Sequence, residues 1–152
     1  MQREEALELL KTHLHNENLF HHSLAVEAIM RGLAESLGED VEKFALAGLL
    51  HDIDYDITVD DLEKHSLLGA QILEENGLPA DVVYAVKVHN ERHGLKRLSL
   101  LDRALYAADP VSGFITAAAL VRPDKKLAEV QLKSLKKRFK EKAFARGASR
   151  EQ

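Results

Sequence analysis

Six ionisable residues fall in register with apolar neighbours that recur at helical spacing. His22 shares a stripe with Val26, Ile29 and Leu33; His51 follows Phe44 and Ala47; Asp52 follows Ala45 and Gly48. His65 leads Leu68, Gly69 and Ile72, His89 trails Val82 and Val86, and Asp109 trails Leu101, Asp102 and Leu105. A polar residue in phase with the apolar stripe of its own helix points at the core. Buried there, an imidazole or carboxylate must find a hydrogen bond or a countercharge. Singly, each has an ordinary explanation: a core histidine bonded to a carbonyl or, for Asp109 before Pro110, a helix cap. As a group they require mutual pairing or a cation, and a metal ion would satisfy them all at once. The stretch LLHDIDYD, residues 49–56, sharpens the point. Adjacent residues on a regular helix point about 100° apart, so His51 and Asp52 can converge on one ion only where a helix ends and the backbone bends. The sequence puts them at such an end.

The elements that must carry these residues are helices. Apolar residues recur at three-and-four spacing almost throughout and strand-like alternation is nearly absent, which predicts an all-α, single-domain chain of about eight helices over residues 1–152. A first helix is expected from Glu4 to about His15 and a second from Leu19 to Leu37, stopped by Gly38. Asp40 caps a third, Val41 to about His51. After the acidic loop DIDYDITVDD come helices near Leu62–Glu75 and from Pro79 to about Val88. Leu98–Ala108 and a separate helix opened by Pro110 follow, and a basic helix over 127–146 closes the chain.

Composition narrows the chemistry. There is no cysteine, which excludes disulfides, thiolate metal sites and thiol nucleophiles, so any metal must be held by His, Asp or Glu. Gly-rich phosphate loops are missing, against kinases and dinucleotide-dependent reductases. The charged amphipathic amino terminus is unlike a secretory signal, and no apolar run approaches the roughly 20 residues of a membrane span, so a soluble cytoplasmic protein is expected. Net charge is −4, unevenly spread: residues 1–121 carry −11 and residues 122–152 carry +7. The basic tail is expected to be a solvated helix face answering an acidic body, with Leu132, Leu135 and Phe139 packed inward; nucleic acid is not an expected partner.

The segment HHSLAVEAIMRGLAESLGEDVEKFALAGLLHDIDYD, with the later Asp of ALYAADP, resembles the HD-domain superfamily of metal-dependent phosphohydrolases over roughly residues 19–115. Carried over by position, the resemblance implies that His22, His51, Asp52 and Asp109 hold a first metal ion. His21 competes with His22, but the His-Ser-Leu context and helical phase favour His22. The resemblance also puts His65 and His89 where some members hold a second ion. Two departures stand out: Asn90 rather than a second histidine follows His89, and Asp54 occupies the place of the common glycine in HDIG. His93 then belongs to the surface or a pocket rim, Asp54 and Asp56 to the loop and to support, and His13 and His15 to the periphery.

The implied activity is hydrolysis of a phosphate ester, with a nucleotide or another small phosphorylated molecule as substrate. Imidazole and carboxylate ligands suit Mn, Fe, Zn, Co or Ni, with Mg at a carboxylate-rich position. Such an ion lowers the pKa of its water from 15.7 towards about 7 to 9 and takes up charge on phosphoryl oxygens. His51 and Asp52 are the expected catalytic pair, Asp52 orienting the water or bridging two ions, and Arg122, Lys125 and Lys126 are candidate phosphate contacts. Two alternatives remain: a paired-iron oxygenase needing both His65 and His89, and a non-catalytic metal- or ligand-binding regulatory module.

Overall fold

Cap chemistry sets the helix boundaries. The computed structural model describes residues 1–151; Gln152, the last residue of the expected domain, lies outside the described residues. The fold is all-α: among the described residues there is no strand. Contacts divide the chain into two units, Met1–Ala108 and Asp109–Gln152.

In the first unit α1 spans Arg3–His13, α2 Glu17–Leu37 and α3 Val41–Leu50. Asn16 accepts from the backbone N–H groups of Asn18 and Leu19 at the start of α2, and Asp40 accepts from Lys43 N–H at the start of α3; a cap of this kind is worth about 1 kcal/mol. Gly38 ends α2 at φ 71°, a left-handed conformation glycine adopts without steric cost. Every residue of α3 from Phe44 to Leu50 is buried. This central helix packs chiefly on α2, and also on α1 and on α6, which spans Ala80–His89. Leu10, Met30, Leu49, Leu50, Ile53, Leu73, Val82, Val86 and Leu105 fill the core around it.

One charged group lies inside this packing. Glu27 on α2 is buried and takes Arg3 Nε at 2.6 Å and Arg31 Nε at 3.1 Å, while Arg31 also reaches Glu42 at 2.7 Å. The paired guanidinium groups answer the cost of burying the carboxylate and tie α1, α2 and α3 together.

The structure departs from the periodicity-based expectation in four places. The acidic stretch contains a short helical turn, α4 (Tyr55–Thr58), where Thr58 Oγ1 donates to the Asp54 carbonyl; Ile53, fully buried, anchors it. The next helix, α5, spans Leu67–Glu75 and starts later than Leu62, because Ser66 adopts φ 71° and the chain turns before it. His65 therefore sits on a turn. Leu100–Leu120 is a single helix, α7, with Pro110 inside it: the fixed φ of proline is helical, so the helix continues without the one bond the missing N–H would make.

The fourth departure lies in the second unit, where the basic helix, α8, is shorter than 127–146: it spans Leu132–Phe139 after a 3₁₀ turn at Leu127–Glu129. Beyond it the chain folds back, and Phe114 meets Phe139 and Phe144 edge-on with centroids 5.9 and 5.6 Å apart. That aromatic cluster favours turns over further helix. Leu132 remains 65% exposed.

Candidate metal centre

The close approach of α3 to α2 begins the site. A Cβ on Gly48 would lie 2.9 Å from Met30 Cγ and 3.0 Å from the Glu27 backbone, so only glycine lets the two helices touch there. Three residues later α3 ends, and His51 Nε2 stands 3.2 Å from His22 Nε2 of α2. The other nitrogen of His51, Nδ1, is 2.9 Å from the Gly48 carbonyl. A carbonyl can only accept, so Nδ1 carries the proton and Nε2 offers its lone pair. His89, at the end of α6, repeats the device: its Nδ1 is 2.6 Å from the Val86 carbonyl.

Asp52 lies between two pairs of imidazoles. Its Oδ2 is 3.3 Å from His51 Nε2 and 3.7 Å from His22 Nε2; its Oδ1 is 3.3 Å from His65 Nε2 and 3.6 Å from His89 Nε2. His51, Asp52, His65 and His89 are buried, and His22 is half-buried. Burial alone would raise the Asp52 carboxyl, but with no ion bound the charge of a protonated His51 and hydrogen bonds from protonated His51, His65 and His89 hold it well below the usual carboxylate range. Burial likewise opposes a charged His65, yet hydrogen bonds to Asp52 and Asp54 raise it to about 9.

These separations suit a shared cation. Two donors each about 2.1 Å from one ion lie about 3.0 to 3.4 Å apart in octahedral or tetrahedral geometry, close to the spacings here. His51, Asp52 and His89 each offer an atom able to ligate a metal, and these atoms all lie within 4.8 Å of one another. With the rings in their neutral form, the donor set of Nε2 lone pairs and one ionised carboxylate fits a divalent transition ion.

Of the residues singled out by sequence, His22, His51, Asp52, His65 and His89 are thus brought together in the first unit. Asp109 stands on α7 directly after Ala108, where the second unit begins, with its carbonyl accepting from Ser112 Oγ. Arg122, Lys125 and Lys126 lie in that second unit; Arg122 is forked onto Asp124 at 2.9 and 3.0 Å, and Lys125 and Lys126 are exposed. His21 is exposed, and His15 donates its backbone N–H to Asp56.

Two residues do more than their sequence positions suggested. Asp54 is fully buried, with Oδ1 2.9 Å from His65 Nδ1. Asn90 donates through Nδ2 to the His65 carbonyl at 3.1 Å and the Leu62 carbonyl at 3.3 Å, and His93 Nε2 also reaches the His65 carbonyl, at 2.7 Å. Both act on a turn, where no periodicity reports the direction of a side chain; the departures at 54 and 90 were the available signal.

A family model described as HD domain matches residues 19–113. The chain belongs to the HD-domain superfamily of metal-dependent phosphohydrolases. This HD domain is similar to ribonuclease Y of Nitratidesulfovibrio vulgaris strain DP4, 36% identical over 98 residues, which are 64% of this chain and 18% of that protein. Ribonuclease Y of Desulfotalea psychrophila is 34% identical over 99 residues, 65% of this chain and 19% of that one. For ribonuclease Y of Lawsonia intracellularis the figures are 30% over 106 residues, 70% and 20%. The chain spans about a fifth of the length of these curated relatives. Their names lend no support to the expectation that nucleic acid is not a partner. Among the described residues no helix is long and apolar enough to cross a membrane.

Proposed function

We propose that this HD domain hydrolyses a phosphodiester of a nucleotide or RNA, using one divalent ion held by His22, His51, Asp52 and Asp109 and a second held by His65, His89 and the shared carboxylate of Asp52. The observation that supports this best is the division of Asp52, one oxygen towards His51 and the other towards His65, each at 3.3 Å. The ribonuclease relatives favour a diester over a phosphomonoester as the first substrate to test. A divalent ion bound at such a site makes water acidic enough to ionise near neutral pH and takes up charge on phosphoryl oxygens.

The residues themselves bind and orient. His51 and His89 keep their lone pairs inward through the Gly48 and Val86 carbonyls. Asp52, ionised at neutral pH, would accept a hydrogen bond from the attacking water and so orient it. Arg122, Lys125 and Lys126 are proposed phosphate contacts, Lys125 and Lys126 being the exposed pair of that turn.

The test is metal analysis of the purified protein, followed by turnover of bis-p-nitrophenyl phosphate, p-nitrophenyl phosphate and a short RNA with Mn, Fe, Zn, Co, Ni or Mg. Diester cleavage should exceed monoester cleavage, and His51→Ala or Asp52→Ala should lower it about 100-fold or more, since losing even an outer partner of a metal ligand costs 10- to 100-fold. Full turnover in either variant would sink the proposal. The approach of both His65 and His89 to Asp52 Oδ1 also favours a second use of the centre, oxidation by paired iron. Inertness of the reduced-iron protein towards oxygen with candidate substrates would remove it.

A further inference from the structure

Asp54 is fully buried, and among the described residues its ion-pair partner is the imidazole of His65 and no Lys or Arg. Three donors converge on it: His65 Nδ1 at 2.9 Å on Oδ1, and the backbone N–H groups of Ser66 and Gly69, each at 2.8 Å, on Oδ2. The seat is tight. A Cβ on Gly69 would lie 3.2 Å from Asp54 Cγ and 3.3 Å from Oδ1, and Ser66 holds φ 71° with its hydroxyl donating to the Lys87 carbonyl at 3.0 Å. The carboxylate is therefore fixed by two backbone donors at the start of α5, and its remaining oxygen is aimed at one imidazole.

We infer that Asp54 is a positioning residue: by accepting the Nδ1 proton of His65 it turns the Nε2 lone pair of that ring towards Asp52 and so completes the second ion position. The chemistry follows from the two nitrogens. A neutral imidazole carries one proton, and its place is set by the better acceptor. With Asp54 present, Nδ1 faces a carboxylate at 2.9 Å while Nε2 stands 3.3 Å from Asp52 Oδ1. Without Asp54, Asp52 is the carboxylate left in reach of the ring among the described residues, the proton moves to Nε2, and the lone pair faces away from the ion. Carboxylates behind ligating histidines act in this manner in metal sites generally, and losing one costs 10- to 100-fold in affinity. The ion-binding half of this inference rests on the two-ion centre proposed above; the tautomer half does not.

The full chain provides both tests. In alkaline solution, where imidazoles are neutral, long-range proton–nitrogen NMR of the metal-free protein should show His65, assigned by the signal lost in His65→Gln, as the Nδ1–H tautomer. Asp54→Ala should convert it to Nε2–H. Equilibrium dialysis with Mn²⁺ should give two ions per wild-type chain, and Asp54→Ala should weaken the second about tenfold or more while leaving the first unchanged. A tautomer unaltered in folded Asp54→Ala, or equal weakening of both ions, would overturn the inference, since a merely structural cap of α5 predicts no tautomer change. Should Asp54→Ala fail to fold, Gly69→Ala, which crowds the carboxylate but keeps it, decides: the same shift supports the inference, and unchanged His65 overturns it. A wild-type chain holding only one ion would defeat the two-ion centre, and the tautomer would still judge Asp54.

Discussion

His22 Nε2 and His51 Nε2 lie 3.2 Å apart although the residues are 29 positions distant in sequence. Two imidazole nitrogens whose lone pairs face each other repel unless a proton or a metal ion lies between them. Chelation should therefore destabilise the protein, and adding Mn²⁺ or Zn²⁺ should restore it by about 2.7 kcal/mol when free ion is 100 times its dissociation constant. Calorimetric melting before and after chelation measures this. His51→Ala should show a clearly smaller response to added ion, with only the second ion left to supply it; a full response would mean the first ion binds elsewhere.

The metal-free protein should lose stability in mildly alkaline solution. His65 is raised in the folded state from 6.5 to about 9 by Asp52 and Asp54. A group whose pKa is raised by folding stabilises fully below its unfolded value, and the contribution is lost as pH rises through the folded one. The melting temperature of chelated protein should fall between about pH 6.5 and 9. His65→Gln should flatten the profile, and an unchanged slope in that variant would assign the loss to other groups.

Gly48→Ala should damage both packing and the site. The added methyl would meet Met30 Cγ at 2.9 Å and the Glu27 backbone at 3.0 Å, and overpacking of a well-filled core costs about 1 to 3 kcal/mol. Spreading α2 and α3 also separates His22 from His51, so metal affinity should drop along with denaturation midpoint. Wild-type affinity in a clearly destabilised variant would show that the helix spacing does not set the ligand spacing.

Asn90→Ala should loosen the turn that carries His65. The amide donates to two carbonyls, those of Leu62 and His65, and accepts from Arg92 N–H. Lost hydrogen bonds contribute about 1 kcal/mol each, so a loss of about 1 to 2 kcal/mol in urea denaturation is expected. The second ion should weaken more than the first. If both weaken alike, Asn90 supports the whole unit and not this turn.

Much of the fold was legible because helices announce themselves through spacing. The cap at Asp40 and the stop at Gly38 lie where side-chain type and period predict. Phase also picked out His22, His51 and His89 as inward-facing. Pro110 misled because proline both opens helices and, at the loss of one bond, continues them; the choice depends on the packing of the residues around it. The end of α8 was equally hidden, since Phe144 folds back on Phe114 through contacts that no local pattern encodes.

By itself the sequence determined which side chains must face a helical core, and with them the donor chemistry available for a metal: imidazoles and carboxylates, without a thiol. Tertiary structure alone decided how they divide. That Asp52 offers one oxygen to His51 and the other to His65, and that Asp54 sits behind His65, depends on turns at residues 51–54 and 62–66. In a turn the direction of a side chain is set by long-range packing, here the burial of Ile53 and the donors of Ser66 and Gly69, and it leaves no period to read.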